Sequence, residues 1–469
     1  MAISHGAGTS ASATQSAGAV YIENLGCAKN QVDAEVMGNR LEEAGWRWVD
    51  APDSADLIIV NTCGFIESAQ QESIDVTLHL AERFPDTSVA LAGCLAQRYA
   101  DDIKRDMAEL AGIFGNRDPQ RVTEFVRLLA NAPIPHAEPG PAVWLPSGEK
   151  TLRGDVRRRR LSHARSTYLK VAEGCDHGCS FCAIPAIRGA LRLRERADIV
   201  QEFRSLRRDD VFEFNLVAQD LAAWRDVERS GEGIVALLDT MLAEPGQFWI
   251  RLLYLYPDTF PDELLQRMAS DSRLAPYLDL SFQHASRSIL RRMGRPGTAE
   301  TYLSLIERVR SAVPDVALRS SFIVGFPGET EAEFEELLAF IRAARLEWIG
   351  AFTFSPQEAT PAASMNGPAV SAEASELRRE RLMGEQESIM VERLRRFVGR
   401  TLPVLIEEPV RNGGVALARA PQQAPEVDGL VVVRGGGDLK PGDVVAATIT
   451  GVSGADLQGR VTRLRGRGT

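Results

Sequence analysis

Tyr168-Leu169-Lys170-Val171-Ala172-Glu173-Gly174-Cys175-Asp176-His177-Gly178-Cys179-Ser180-Phe181-Cys182 is a short apolar strand followed at once by three thiols, spaced four and then three residues apart. Three thiolates at that spacing converge on one cubic iron–sulfur cluster, and three cysteines leave one of its irons without a protein ligand. An open iron can bind something that reacts, so the loop reads as a redox-active catalytic centre. A zinc site with His177 as fourth ligand is the plain alternative, but His177 lies inside the loop, where closing a tetrahedron with its neighbours is strained. A structural disulfide fits worse, because the chain's six cysteines fall into two groups of three and an odd count leaves a thiol over.

Outward from this loop, strand and helix signals alternate. Strands are expected over 168–172, 213–218, 249–256, 278–282, 318–324 and 349–354. Amphipathic helices fall between them; Glu331–Ala344, for example, carries Phe334, Leu337, Leu338 and Ile341 on one face. Six strand–helix units resemble a partly open version of the eight-fold barrel, whose active sites lie at the C-terminal ends of the strands. Cys175–Cys182 directly follows the first strand. Other strand ends carry Gln219 and Asp220, Gln283 and His284, and Gly325-Phe326-Pro327-Gly328-Glu329-Thr330. The last motif reads equally as a tight turn capped by Thr330, and His284 alone reads as a satisfied buried histidine.

The first cysteine group, Cys27, Cys63 and Cys94, has no short motif, but its local settings are alike. Val20-Tyr21-Ile22 runs into Cys27, Leu57-Ile58-Ile59-Val60 into Cys63, and Val89-Ala90-Leu91 into Cys94. The separations match strand–helix–strand units of about 30 residues, and parallel strands with right-handed crossovers end on one edge of a sheet. Three cysteines at three such ends meet at a second cluster with one iron open. Three unrelated buried cysteines are the alternative.

The N-terminal end, 1–18, is rich in Ala, Ser and Gly and reads as a disordered tail, not a signal peptide. The expected organisation continues as an open parallel α/β domain over 19–135 and a Pro-rich linker over 136–160 with Arg157-Arg158-Arg159-Arg160, read as solvated. A partial (β/α)6 barrel follows over 161–396 and a small all-β barrel over 397–469. Glu373–Phe397 reads as a charged connector helix. Strands expected at 402–406, 415–418, 429–433, 444–449 and 457–461 make the terminal barrel resemble those that bind RNA or protein. It lacks the aromatic platforms of a single-strand binder. The net charge of −10 argues against a large, sequence-independent nucleic-acid surface. No apolar run approaches the roughly 20 residues of a membrane span, and reduced thiols point to the cytoplasm.

The Cys175–Cys182 loop resembles the signature of radical S-adenosylmethionine enzymes, with an aromatic residue before its last cysteine. Together with the three-cysteine N-terminal domain, the partial barrel and a TRAM-like terminal barrel, it resembles the methylthiotransferases. Several stretches look like the branch that modifies a ribosomal protein, among them Asn24–Asn30, Asn61–Ala69, Leu253–Pro257, Gln283–Ser286, Met293–Gly297 and Ala424–Gly429. Leu193, Leu221 and Ser281 depart from that pattern, as do His177 and Gly178, and none of these changes touches a cysteine.

That resemblance implies two [4Fe-4S] clusters, one on Cys175, Cys179 and Cys182 that binds S-adenosylmethionine, the other on Cys27, Cys63 and Cys94 that carries the sulfur. It implies S-adenosylmethionine as the source of a 5′-deoxyadenosyl radical, and Gln219, Ser321 and Gly325 as contacts to it. The substrate it implies is an aspartate of ribosomal protein number twelve of the small subunit, free or in the ribosome, gaining a methylthio group at its β-carbon. An electron donor such as flavodoxin or ferredoxin, a monomer and no membrane complete the expectation. The rival is a tRNA adenosine methylthiotransferase; an adaptor holding zinc in both cysteine groups is a rival of a different class.

Overall fold

The computed structural model describes residues 17–131, 140–148, 152, 154, 159–162, 165–228, 231–365, 367–410, 414–435 and 439–464. Most of the N-terminal tail, about half of the Pro-rich linker, and Arg157 and Arg158 of the arginine run lie outside these. Chain contacts separate two compact units. One comprises Met1–Gly26, Asp33–Gly64 and Ser68–Ser147, the other Cys27–Val32, Phe65–Glu67 and Gly148–Thr469.

The first unit is built on a six-stranded sheet of β1 (Gly18–Asn24), β2 (Trp46–Trp48), β3 (Leu57–Thr62), β4 (Ser88–Gly93), β5 (Gly112–Gly115) and β6 (Ala142–Trp144), in the order β2-β1-β3-β4-β5-β6. Every pairing is parallel. A parallel sheet is covered on both faces, so its central strands are apolar without alternation, as in Leu57-Ile58-Ile59-Val60. Leu57 and Ile59 pack with Met37, Leu41 and Phe125 on one face, while Ile58 and Val60 pack with Leu80, Leu95 and Ile103 on the other.

In the second unit β7 (Ser166–Lys170) leads into a two-stranded ribbon of β8 (Ala172–Glu173) and β9 (Arg192–Leu193). Then come β10 (Glu213–Val217), β11 (Trp249–Leu255), β12 (Leu274–Leu280), β13 (Ala317–Val324) and β14 (Trp348–Thr353). β7 and β10–β14 pair in chain order, all parallel, as an open six-stranded barrel wall. Helices between the strands bury one face each. Helix Glu331–Ala344 buries Phe334, Leu337, Leu338 and Ile341 as its spacing predicts, and Thr330 caps it in a box with Glu333. The helix expected as a connector is part of the wall instead. Over Ala372–Leu394 it buries Leu382 and Ile389 in the barrel's core, and Gln386 donates to the Leu346 carbonyl at 2.8 Å.

The chain ends in a closed barrel of β15 (Thr401–Val410), β16 (Val415–Arg419), β17 (Val431–Arg434), β18 (Val444–Ser453) and β19 (Asp456–Leu464), ordered β15-β16-β17-β19-β18. It is fused to the N-terminal ends of the central strands. Arg419 is fully buried and grips Glu213 with both terminal nitrogens, and Arg251 adds a third bond to Glu213 at 2.8 Å. The loop between β16 and β17 forms the floor of the open barrel. Pro421 O accepts from Arg251 at 2.6 Å, Gln422 O from Trp348 at 3.2 Å, and Asp428 pairs with Arg319 at 2.7 Å. An open barrel leaves buried polar groups at its floor, and this loop satisfies several of them while its own Gln422 Oε1 and Gln423 Nε2 stay without partners. No helix among the described residues is long and apolar enough to cross a membrane.

Candidate active site

Cys175, Cys179 and Cys182 lie in the loop just past β7 and β8, at the C-terminal mouth of the central barrel, all free and half-buried. Gly174 starts the loop with φ +79, and a Cβ there would stand 2.1 Å from the Ala190 carbonyl oxygen, so only glycine fits. The loop is tied down at its middle: Ser180 N donates to Met293 O at 2.9 Å, its Oγ to Arg292 O at 2.8 Å, and its own carbonyl accepts from Ala362 at 2.9 Å. Arg295, also buried, extends a terminal nitrogen to 3.8 Å from Cys179 Sγ, lies over the Tyr256 ring at 4.1 Å, and keeps a buried Nε with no partner. His177 stacks on the same ring at 4.0 Å and holds Asp220 at 2.8 Å. Its Nε2 is thus engaged by a carboxylate and its ring is fixed against Tyr256.

Burial pushes the Cys182 thiol up to about 12 and raises that of Cys175. Metal ligands must be deprotonated, so these thiols become thiolates only with a cationic group among them. Three free thiols on one fixed loop beside a buried guanidinium fit an anionic thiolate-bound cluster. Among the described residues no group of three or more His, Cys, Asp or Glu gathers as a single metal ion requires.

Behind the loop, Glu173 is buried and takes Lys170 at 2.6 Å, Arg188 at 2.9 Å and Gln219 Nε2 at 2.7 Å. Burial opposes its charge, but Arg188 and Lys170 outweigh that and hold the carboxyl well below the usual range. Arg188 also reaches Asn30 at 2.7 Å. Gln219 is left with a buried, unpartnered Oε1. Ser321, on β13, uses its carbonyl to accept from Gln283 N at 2.9 Å. Gly325 spends its amide on Glu329, and the side its missing Cβ leaves open is filled by Ser375 Oγ at 2.0 Å from that position. His284 is fully buried between Glu329, at 3.2 Å, and the Ser286 amide.

The other three cysteines stand where the strand pattern places them. Cys63 and Cys94 follow β3 and β4 immediately, and Cys27 comes three residues after β1, so all three succeed adjacent parallel strands. Cys94 is buried and receives a hydrogen bond from Asn116 at 3.2 Å; Ser73 bonds the backbone of Cys63 at 3.2 Å. Desolvation by packed neighbours raises the thiol of Cys27, itself an exposed residue, but the charges of Lys29 and Arg188, with the Asn30 and Lys29 amides, overcome this and lower it below its ordinary value. Hydrogen bonds and charges on cluster sulfurs tune such centres. Asn116, Arg295, Glu173 and Lys29 carry no catalytic motif of their own in the sequence. Charged residues beside cysteines, Glu173 before Gly174-Cys175 and Lys29 after Cys27, were the available signal.

Three family models match: the uncharacterized protein family UPF0004 over residues 19–115, the radical SAM superfamily over 169–341 and the TRAM domain over 398–462. Curated relatives match nearly end to end. The ribosomal protein uS12 methylthiotransferase RimO of Treponema denticola is 40% identical, covering 92% of this chain and 98% of its own. That of Desulforudis audaxviator is 42% identical, covering 94% and 96%. Among solved structures, the radical S-adenosylmethionine methyltransferase TsrM of Kitasatospora setae, with tryptophan and an S-adenosylmethionine analogue bound, aligns with TM-score 0.52 and 17% identity over 71% of this chain and 72% of its own. This last likeness concerns the fold alone.

Proposed function

The chain belongs to the family of ribosomal protein uS12 methylthiotransferases, and from that premise we propose that it adds a methylthio group to the β-carbon of an aspartate in uS12. The observation that carries the reading is the doubling of the cysteine sets, one after β8 at the barrel mouth and one after three adjacent strands of the first sheet. One set serves a radical enzyme; a second is what a sulfur donor requires. When bound, the two [4Fe-4S] clusters and S-adenosylmethionine supply the electron, the radical and the sulfur, chemistry that no acid or base reaches at an unactivated carbon.

The chain's own residues hold and orient. Cys175, Cys179 and Cys182 would anchor the cluster beside S-adenosylmethionine, and Cys27, Cys63 and Cys94 the other. Arg295 offsets thiolate charge at Cys179. The unpartnered Gln219 Oε1 is an acceptor suited to the ammonium of S-adenosylmethionine, and Ser321 and Gly325 are retained as weaker candidates along β13 and just after it. Glu173, held by two cations, fixes Gln219 and Arg188. The reading includes a flavodoxin or ferredoxin as electron donor and a cytoplasmic monomer acting on uS12, free or in the ribosome.

The test compares cells with and without the gene. Intact masses of small-subunit ribosomal proteins and hydrolysates of tRNA are measured together. Loss of one methylthio increment from uS12 with tRNA unchanged supports the reading; loss of a methylthioadenosine with uS12 unchanged contradicts it.

A further inference from the structure

Two lysines of the second unit are buried to a similar degree, and only one has an anion. Lys170 meets Glu173 at 2.6 Å. Lys29, in the segment Cys27–Val32 that groups with this unit, is 8% exposed. Its ammonium sits 3.5 Å from the centroid of the Tyr254 ring and 3.4 Å from the Ala218 carbonyl oxygen, and among the described residues no carboxylate is within ion-pair distance of it. Lysine is almost never buried unpaired, and an ammonium has three donors, of which one long bond and one ring face are accounted for. Two carboxylates act on it from beyond ion-pair distance: Glu173, engaged by Lys170 and Arg188, and buried Asp279, which takes the Tyr254 backbone and faces Arg319.

Its position and its support point the same way. Ala218 directly follows β10 and Tyr254 is next to last in β11, so the ammonium stands at the C-terminal ends of two neighbouring strands, where barrel enzymes place their substrates. Tyr254 itself has φ +64, a costly conformation for an aromatic residue, inside a register irregularity between Leu252 and Leu255. Such irregularities re-aim side chains beside active sites, and this one sets the ring under Lys29.

We propose that the Lys29 ammonium receives the side-chain carboxylate of the substrate aspartate; the proposal rests on the uS12 reading above. The carboxylate completes the pairing that the fold withholds. The β-carbon, one bond away, is thereby held at the barrel mouth, the place of hydrogen abstraction. An asparagine in the same position leaves the ammonium buried and uncompensated, so the contact selects aspartate. The competing role for Lys29 is to offset the negative charge of a cluster on Cys27, two residues before it.

The experiment uses the cluster-loaded enzyme without reductant, so that nothing turns over, and titrates it with uS12 or with uS12 carrying asparagine at the modified aspartate. The wild type is expected to favour the aspartate form by about tenfold or more, the worth of a charge-assisted hydrogen bond. Lys29→Met and Lys29→Gln are expected to bind both forms alike with iron content and melting temperature preserved, and Lys29→Arg to keep most of the preference. If both neutral variants retain the wild-type preference, the proposal is overturned, and a parallel loss of iron assigns the lysine to the cluster on Cys27. If the wild type itself does not distinguish the two forms, the substrate reading fails and takes this proposal with it.

Discussion

The two ends of the central barrel treat buried charge in opposite ways. At the floor, Glu213 is completed by Arg251 and Arg419, and Asp428 by Arg319. At the mouth, Lys29 lacks a carboxylate, Gln219 Oε1 has no donor and Arg295 Nε no acceptor. Buried polar groups without partners cost free energy; the floor keeps its orphans on neutral amides such as Gln422 Oε1 and Gln423 Nε2 and pairs its charges, whereas the mouth leaves charged groups open. The floor holds the barrel together and the mouth waits for ligands.

The comparison breaks most easily at the cysteines. Cys179→Ala is expected to abolish formation of 5′-deoxyadenosine, and Cys63→Ala to leave that cleavage intact while stopping methylthio transfer, both followed by chromatography of the reaction. Full methylthio product from Cys63→Ala would show that the two sets do not divide the labour.

At the floor, Glu213→Ala is expected to cost about 3–5 kcal/mol, because it strands two buried guanidinium groups. A denaturant titration measures it, and a loss under 1 kcal/mol would mean that the floor is looser than its bonds suggest. Burial raises the Glu213 pKa, but Arg419 and Arg251 outweigh that and depress it strongly. A carboxylate with a depressed folded-state pKa contributes stability that is present above its unfolded value and lost as pH falls. Stability at this site is therefore lost below about pH 4.

Asp279 runs the other way. Burial, with Asp428 adding to it, raises its carboxyl to about 6 against the pull of Arg319. Its contribution is present below the unfolded pKa of about 3.9 and lost as pH rises through 6. Asp279→Asn is expected to remove that loss, gaining on the order of 2 kcal/mol at pH 8 relative to pH 4. Equal effects at both pH values in thermal melts would contradict it. Smallest is Thr330→Ala, which loses the capping box with Glu333 and about 1 kcal/mol, with radical formation unaffected.

The mouth was more legible in the sequence than the floor, for a physical reason. Thiol spacing and strands that end in cysteine are local patterns, so both cysteine sets and the strand order could be read from short windows. The pairing of Arg419 with Glu213 spans 206 residues and leaves no local trace, so from sequence the terminal barrel shows only its resemblance to barrels that bind RNA or protein. The helix after Ser371 read as a connector because its charged face dominates its composition, while the few residues it buries, such as Leu382 and Ile389, decide its packing. Gly325 is expected as a contact from its place at a strand end, and no short window shows that Ser375, far along the chain, fills the space beside it.

The most direct test of the account is a side-by-side reaction of the cluster-loaded enzyme with S-adenosylmethionine, a sulfur source and a low-potential reductant, given uS12 in one vessel and tRNA in the other. The account predicts a methylthio increment confined to one aspartate of uS12, with none on tRNA. A methylthio increment on tRNA and none on uS12 would contradict it.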